Sequence, residues 1–146
     1  MTRKAPTAEA VFELEVRCDP PVAVGARQGA RMLMIPITGG TITGKRLTGE
    51  VMPGGADWAE VEADGTARVN ACYAIKASDG TIIQVFNSGT VKPDRMAMTP
   101  QPVLTSPRFI APDGPHAWLN QGVFVGTLLA DPANMGVVKI GIFMMA

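Results

Sequence analysis

The sequence is poor in the residues that build metal and redox centres. Its 146 residues include two cysteines, Cys18 and Cys72, and one histidine, His116. The cysteines are far apart and form no CxxC pair, which excludes a zinc cluster of the usual Cys/His type. Isolated thiols of this kind are typical of reduced cysteines that pack as small hydrophobes. We therefore predict no metal ion and a cytoplasmic location.

Charge is scarce as well. Charged residues make up 18% of the chain, and 13 basic and 13 acidic residues give a net charge of zero. Without a basic block, the sequence predicts no binding to nucleic acid or to an anionic membrane. No apolar run is long enough to cross a bilayer, and no apolar segment of the secretory type follows Arg3 and Lys4. Weak repulsion at zero net charge favours self-association.

The common catalytic and cofactor-binding motifs are also missing. The chain has no GxSxG elbow, no P-loop, no GxGxxG opening a helix and no HExxH. A Ser-His-Asp triad would have to use His116, and no neighbouring serine supports it. We expect no cofactor.

Glycine and proline are abundant instead, with 16 and 12 copies, and no stretch keeps a helical period. Short segments between turn signals favour an all-β fold. Residues 11–17 alternate, with Phe12, Leu14 and Val16 on one face, as a half-buried strand does. Further strands are predicted at residues 31–37, 46–52, 58–62, 67–76, 81–87, 116–129 and 136–145.

About eight antiparallel strands in a chain of this length fit a single closed β-barrel, lipocalin-like in general architecture, with room for one small ligand. Residues 1–9 are expected to form a disordered tail, and residues 10–146 the barrel domain. Six prolines in residues 92–115 predict a long surface loop. The last strand is apolar on both faces and must be covered, which predicts a homodimer.

Four sequence blocks resemble a known family. They are Pro36-Ile37-Thr38-Gly39-Gly40, the GEVMPGGADW block at residues 49–58, Asp79-Gly80 leading to Asn87-Ser88-Gly89, and Ala117-Trp118-Leu119-Asn120 followed by Val123-Phe124-Val125-Gly126. In this order they resemble the bacterial and fungal family catalogued as domain of unknown function 3237, over roughly residues 11–143. The resemblance implies a small antiparallel barrel, often dimeric, with a pocket for small molecules of aromatic or secondary metabolism.

The chain departs from that family pattern at four polar positions. Asn70 stands where the family usually has aspartate, and Cys72, Ser88 and Gln121 stand where it usually has arginine. If these positions line the pocket, this member has lost charge there. The hypothesis is then that it prefers a more neutral, apolar ligand than its relatives do.

Two carboxylates in the glycine-rich block are candidate acid–base groups. Inside an apolar barrel, Glu50 would have a raised pKa suited to proton transfer near neutral pH. Alternatively, it faces solvent or pairs with Arg46. Asp57 is either its catalytic partner, since paired carboxylates divide acid and base roles, or a turn cap.

Further polar and aromatic residues complete the candidate site. Tyr73 could donate a hydrogen bond to a ligand oxygen, and His116 is the one imidazole available for acid–base work. Both have plainer alternatives, as a packed core tyrosine and an exposed loop histidine. The candidate ligand-binding residues are Trp58, Asn70, Asn87, Arg108, Trp118 and Asn120.

The sequence thus favours a cofactor-independent isomerase, cyclase or lyase that acts on a hydrophobic, ring-containing molecule. Positioning together with one base accelerates such reactions without a cofactor. Two alternatives stay open at this point. One is a non-catalytic binding or carrier barrel, and the other is an accessory subunit that docks an enzyme.

Overall fold

The computed structural model describes residues 2–92, 102–131 and 133–146. The strands are β1 (Ala8–Cys18), β2 (Val22–Arg27), β3 (Ala30–Thr43), β4 (Gly49–Val51), β5 (Gly55–Val61), β6 (Ala67–Ala77), β7 (Ile82–Val91), β8 (Val103–Ile110), β9 (Val123–Ala130) and β10 (Val137–Met145). A short 3-10 helix, Ala117–Asn120, lies between β8 and β9.

These strands form a closed antiparallel barrel of eight strand positions. The ladder runs from β1 through β10, β9, β8, β7 and β6 to β4 and β5, which share one position, and then to β3, which pairs with β1. Closure leaves β2 as an extra strand that pairs with β3. The predicted all-β barrel is confirmed.

Alternation along the strands of the closed barrel places one face of each in the core. Phe12, Leu14 and Val16 of β1 are buried, as the sequence pattern predicted. At Gly40 of β3 and Gly49 of β4 the backbones approach so closely that a Cβ atom would clash with the carbonyl oxygens of Glu15 and Lys76. The glycine-rich blocks therefore serve close strand contact as well as turns.

An aromatic cluster closes one end of the barrel. Phe109 lies edge-to-face against Phe12 and Phe124, with ring centroids 5.7 and 5.1 Å apart. Trp118, carried by the 3-10 helix, packs edge-to-face on Phe12 at 6.5 Å. Such pairs stabilise a core beyond the area that they bury.

Several predicted elements differ from the structure. The predicted tail ends early, because β1 begins at Ala8, and the strand predicted at residues 46–52 shortens to β4. The predicted loop at 92–115 contains β8, while residues 93–101 of that loop lie outside the described residues.

The first part of the strand predicted at 116–129 is instead the 3-10 helix, which follows a turn at Gly114 with a positive φ of 137°. Strand β2 was not predicted. All its residues are exposed, so its sequence carries no alternating pattern.

Candidate functional site

A cavity of about 660 Å³ opens at the end of the barrel where β1 and β9 end and β10 begins. Its size suits a small ligand. Its apolar lining consists mainly of Val16, Ile35, Ile37, Ala71, Leu128, Val138 and Ile140. The connections after β1 and after β9 form the rim, with Pro20, Pro21 and residues 134–136.

The carboxylate of Asp57 lines this mainly apolar cavity. It lies on the inner face of β5, and its Oδ1 accepts a hydrogen bond of 2.7 Å from the backbone N–H of Asn70. The β5–β6 ladder has a gap there, between the pairs Asp57/Ala71 and Glu60/Arg68. Burial raises the pKa of Asp57, and the Asn70 N–H opposes that rise. A partly desolvated carboxylate of this kind binds a proton more readily than a solvated one.

Tyr73 lines the same cavity from the inner face of β6, two residues along from Ala71, the ladder partner of Asp57. It is 5% exposed, and burial raises the pKa of its hydroxyl, so Tyr73 stays a neutral hydrogen-bond donor at physiological pH. Its hydroxyl forms no hydrogen bond with any described residue, and the residue lines the cavity. A donor and a partly desolvated carboxylate therefore share one apolar chamber.

The remaining polar residues of the cavity lining are Cys18, Asp19, Asp131 and Asn134. Burial raises the pKa of Cys18, and the charges of Asp57 and Asp19 raise it further. Asp131 accepts hydrogen bonds from the backbone N–H of Ala133 and the side chain of Asn134, which lower its pKa. The sequence analysis interpreted Cys18 as a packed thiol and assigned neither it nor Asp19 and Asp131 to a site. A signal was present for the two acids, since Asp19 and Asp131 each follow the last residue of a strand and directly precede a proline.

Glu50 is not part of this site, and the expectation that it faces the interior is wrong. It lies exposed on the outer face of β4, opposite Thr41 and Lys76. The alternation of β4 points Val51 inward and therefore Glu50 outward. The alternative pairing with Arg46 is not formed either, because the Arg46 guanidinium lies 3.8 Å from the Trp118 ring centroid.

His116 is also away from the cavity. Its Nε2 lies 2.9 Å from Oδ2 of Asp79, and it precedes the 3-10 helix near the aromatic cluster. Trp118 belongs to that cluster. Trp58 is 51% exposed on the outer face of β5. The structure therefore brings Asp57 and Tyr73 together and leaves Glu50, His116 and both tryptophans outside the cavity.

Four predicted ligand-binding residues meet elsewhere. Asn70, Asn87, Arg108 and Asn120 line a groove of about 530 Å³ in the wall of the barrel, which we call the side groove. The side chain of Asn120 is engaged within the fold, since it accepts from the Ala111 N–H at 2.8 Å and donates to the Ala111 carbonyl at 2.9 Å. It fastens the segment after β8 to the 3-10 helix.

The four departures from the family pattern do not touch the cavity. Asn70, Cys72, Ser88 and Gln121 are all exposed, and none lines the cavity. The hypothesis that their lost charges make the cavity ligand more neutral is therefore wrong. Cavity polarity depends on other residues.

Within residues 2–92, 102–131 and 133–146, no helix has the length and apolar character needed to span a bilayer. The same described residues contain no group of three or more His, Cys, Asp or Glu side chains that could hold a metal ion. The absence of a cofactor stays a prediction.

The fold and the cavity define a small antiparallel barrel protein with an internal chamber. Residues 6–144 match the family described as "Protein of unknown function (DUF3237)", and the chain belongs to that family. The predicted resemblance is confirmed.

The chain is also similar in sequence to individual proteins. A UPF0311 protein from Rhodopseudomonas palustris is 30% identical over 84% of this chain and 88% of its own. A UPF0311 protein from Clostridium acetobutylicum is 39% identical over 56% of this chain, and that match spans about half (52%) of the Clostridium protein.

Solved structures show the same fold. A Clostridium acetobutylicum protein of unknown function superposes with a TM-score of 0.87 at 27% identity, covering 99% of this chain and 100% of that one. A protein from Penicillium herquei described as an enzyme gives 0.78 at 24% identity, covering 100% and 98%. The Penicillium likeness shows the shared fold.

Proposed function

We propose that this protein is a cofactor-independent acid–base enzyme, an isomerase, cyclase or lyase, that acts on a small hydrophobic ring-containing molecule in the barrel cavity. Asp57 is the base or acid, and Tyr73 holds the oxygen on which negative charge develops. The observation that supports this most is the carboxylate of raised pKa inside an apolar chamber that an unengaged tyrosine also lines.

The roles follow from the two environments. Partial burial adapts Asp57 to taking up a proton, and its Oδ1 is oriented by the Asn70 N–H. Tyr73 remains protonated and can donate a hydrogen bond to an enolate or phenolate oxygen. One group moves the proton, and the other stabilises the charge that this movement creates.

Acidic side chains at the cavity disfavour substrates that carry a negative charge. Asp19, Asp57 and Asp131 line the cavity, and its described lining contains no Lys, Arg or His. Asp57 is partly buried, Asp19 is exposed at the rim, and Asp131 lies 3.9 Å from Nζ of Lys139, so the charges of Asp57 and Asp19 in particular disfavour an anion in the cavity. The substrate is therefore a neutral molecule with a carbonyl or phenol group, not a carboxylic acid.

The test is proton exchange. Neutral cyclic ketones and phenolic ketones are incubated with the protein in deuterated water, and mass spectrometry follows deuterium uptake and isomerisation. We expect Asp57→Asn to lower the rate by about 10²–10⁴-fold and Tyr73→Phe by roughly 10–10³-fold. Glu50→Gln, an exposed carboxylate outside the cavity, is the matched control and should leave the rate unchanged.

A carrier barrel is the second candidate, and the mainly apolar lining favours it. Ligand binding measured on the same panel separates the two. Binding without exchange in the unaltered protein would contradict catalysis and support a carrier. A cytoplasmic location and an accessory-subunit role stay predictions that these assays do not address.

A further inference from the structure

The side groove has a construction that the cavity chemistry does not explain. It shares no lining residue with the cavity. The β8–β9 ladder ends at the pair Thr105/Gly126, and two residues further Pro107 has no N–H to donate. Beyond this point the wall is not closed by strand pairing, and buried residues contribute to the groove together with outward-facing ones.

A buried amide without a partner lies in this groove. Asn87 is 4% exposed and faces inward from β7, opposite Pro107. Its Oδ1 is buried without a hydrogen bond to any described residue. Nearly all buried polar groups in folded proteins are hydrogen-bonded. We therefore expect Oδ1 of Asn87 to accept a hydrogen bond from a molecule that binds in the groove. A ligand with a hydroxyl or amino group supplies such a hydrogen bond.

A cation stands at the outer side of the same groove. Arg108 pairs with Phe86 across β7 and β8, next to the pair Asn87/Pro107, and its guanidinium lies 4.7 Å from the Phe86 ring centroid. No described carboxylate forms an ion pair with it. A planar guanidinium held over an aromatic ring presents its N–H groups in the geometry that suits a carboxylate.

The groove is also lined by four apolar residues, which are largely buried. Pro107, Phe109, Leu119 and Phe124 contribute to it. We propose that the side groove is a second ligand site, which binds a small aromatic carboxylic acid that carries a hydroxyl or amino group. Arg108 binds the carboxylate, the apolar residues contact the ring, and the Asn87 amide hydrogen-bonds the second polar group.

The cavity and the side groove differ in charge, so an acid tells them apart. The probe is 4-hydroxybenzoate, with 4-hydroxybenzyl alcohol as its neutral counterpart. Titration calorimetry and backbone amide NMR shifts measure binding to the full chain. We expect the acid to shift the amides of Asn70, Ser88 and Gly122. Because the neutral phenol could also enter the cavity, the comparison uses the concentration dependence of these three shifts, by which the acid should bind the side groove about tenfold more tightly than the alcohol.

Substitutions in the side groove and in the cavity show which of the two sites binds the acid. Arg108→Gln should weaken acid binding about tenfold, whereas Arg31→Gln, an exposed arginine on β3, and Asp57→Asn should leave it unchanged. Asn87→Leu loses no hydrogen bond to a described residue and should fold, and it should also weaken binding. No binding at about 10 mM acid, equal weakening by Arg31→Gln, or an effect of Asp57→Asn alone would each overturn the proposal.

Discussion

At the scale of single residues, two carboxylates that look equivalent in the sequence lie in different surroundings in the fold. Glu50 and Asp57 stand seven positions apart in one glycine-rich block, yet Glu50 is exposed and Asp57 lines an apolar cavity. Alternation within each short strand decides this difference. The gap in the β5–β6 ladder then supplies the Asn70 N–H that orients Asp57.

The raised pKa of Asp57 predicts how stability depends on pH. The folded chain keeps this proton at pH values where the unfolded chain releases it. The stabilising contribution is therefore complete below the ordinary value of about 4 and is lost as pH rises through the raised value. Asp57→Asn keeps an acceptor for the Asn70 N–H and carries no charge. The variant should thus be more stable at neutral pH by roughly 0.5 kcal/mol after solvent screening.

Thermal unfolding from about pH 3 to 8 measures this difference, which corresponds to about 2 °C at neutral pH. The two melting temperatures should converge in acid. Asp64, Asp79 and Asp131, whose pKa values are lowered, lose their stabilising effect as pH falls, but they do so equally in both proteins. A variant less stable than its parent at neutral pH would show that the charged carboxylate is favoured in the fold, contrary to the role proposed for it.

At the scale of elements, the break between β8 and β9 creates the side groove, and Asn120 holds the chain across it. Asn120→Ala removes both side-chain hydrogen bonds to Ala111. We expect a loss of about 1–2 kcal/mol in unfolding free energy, which lowers Tm by about 5 °C. Its exposed neighbour gives the control, since Gln121→Ala should stay within about 0.5 kcal/mol of the parent. If the two variants had the same Tm, the proposed role of Asn120 in fastening the segment after β8 to the 3-10 helix would be refuted.

Prediction from sequence succeeded where alternation was strong and failed where it was weak. The β6–β7 hairpin around Asp79-Gly80 was found because two alternating runs flank a turn signal. Strand β8 was missed because Pro107 within it and Pro102 and Pro112 on either side signalled a loop, although Pro107 lies two residues beyond the last β8–β9 pair. Asp57 and Tyr73 were chosen by residue type and do line the cavity, but which side of the barrel each faces depends on long-range register that local sequence does not encode.

At the scale of the whole molecule, polar chemistry is divided between the barrel end and its wall, and a third surface is apolar. On the outer face of β8, β9 and β10, strand register brings together a strip formed by Leu104, Val123, Val125, Phe143 and Met145, with Thr127 opposite Leu104. The strip borders the side groove, which Val123 also lines. Leu104 and Val123 are 68% and 69% exposed. The Phe143 ring covers Gly141, so this face continues across β10.

A second copy of the chain is the occupant that we propose for this strip, because net charge is zero and opposes self-association weakly. Light scattering coupled to size-exclusion chromatography should give the mass of a homodimer. Leu104→Lys places a charge in the strip without touching the side groove and should yield a monomer. Ile82→Lys, at a residue of β7 that is 51% exposed, is the matched control and should remain dimeric. A monomeric parent protein, or dissociation by the Ile82 variant as readily as by the Leu104 variant, would refute an interface on the β8–β10 face.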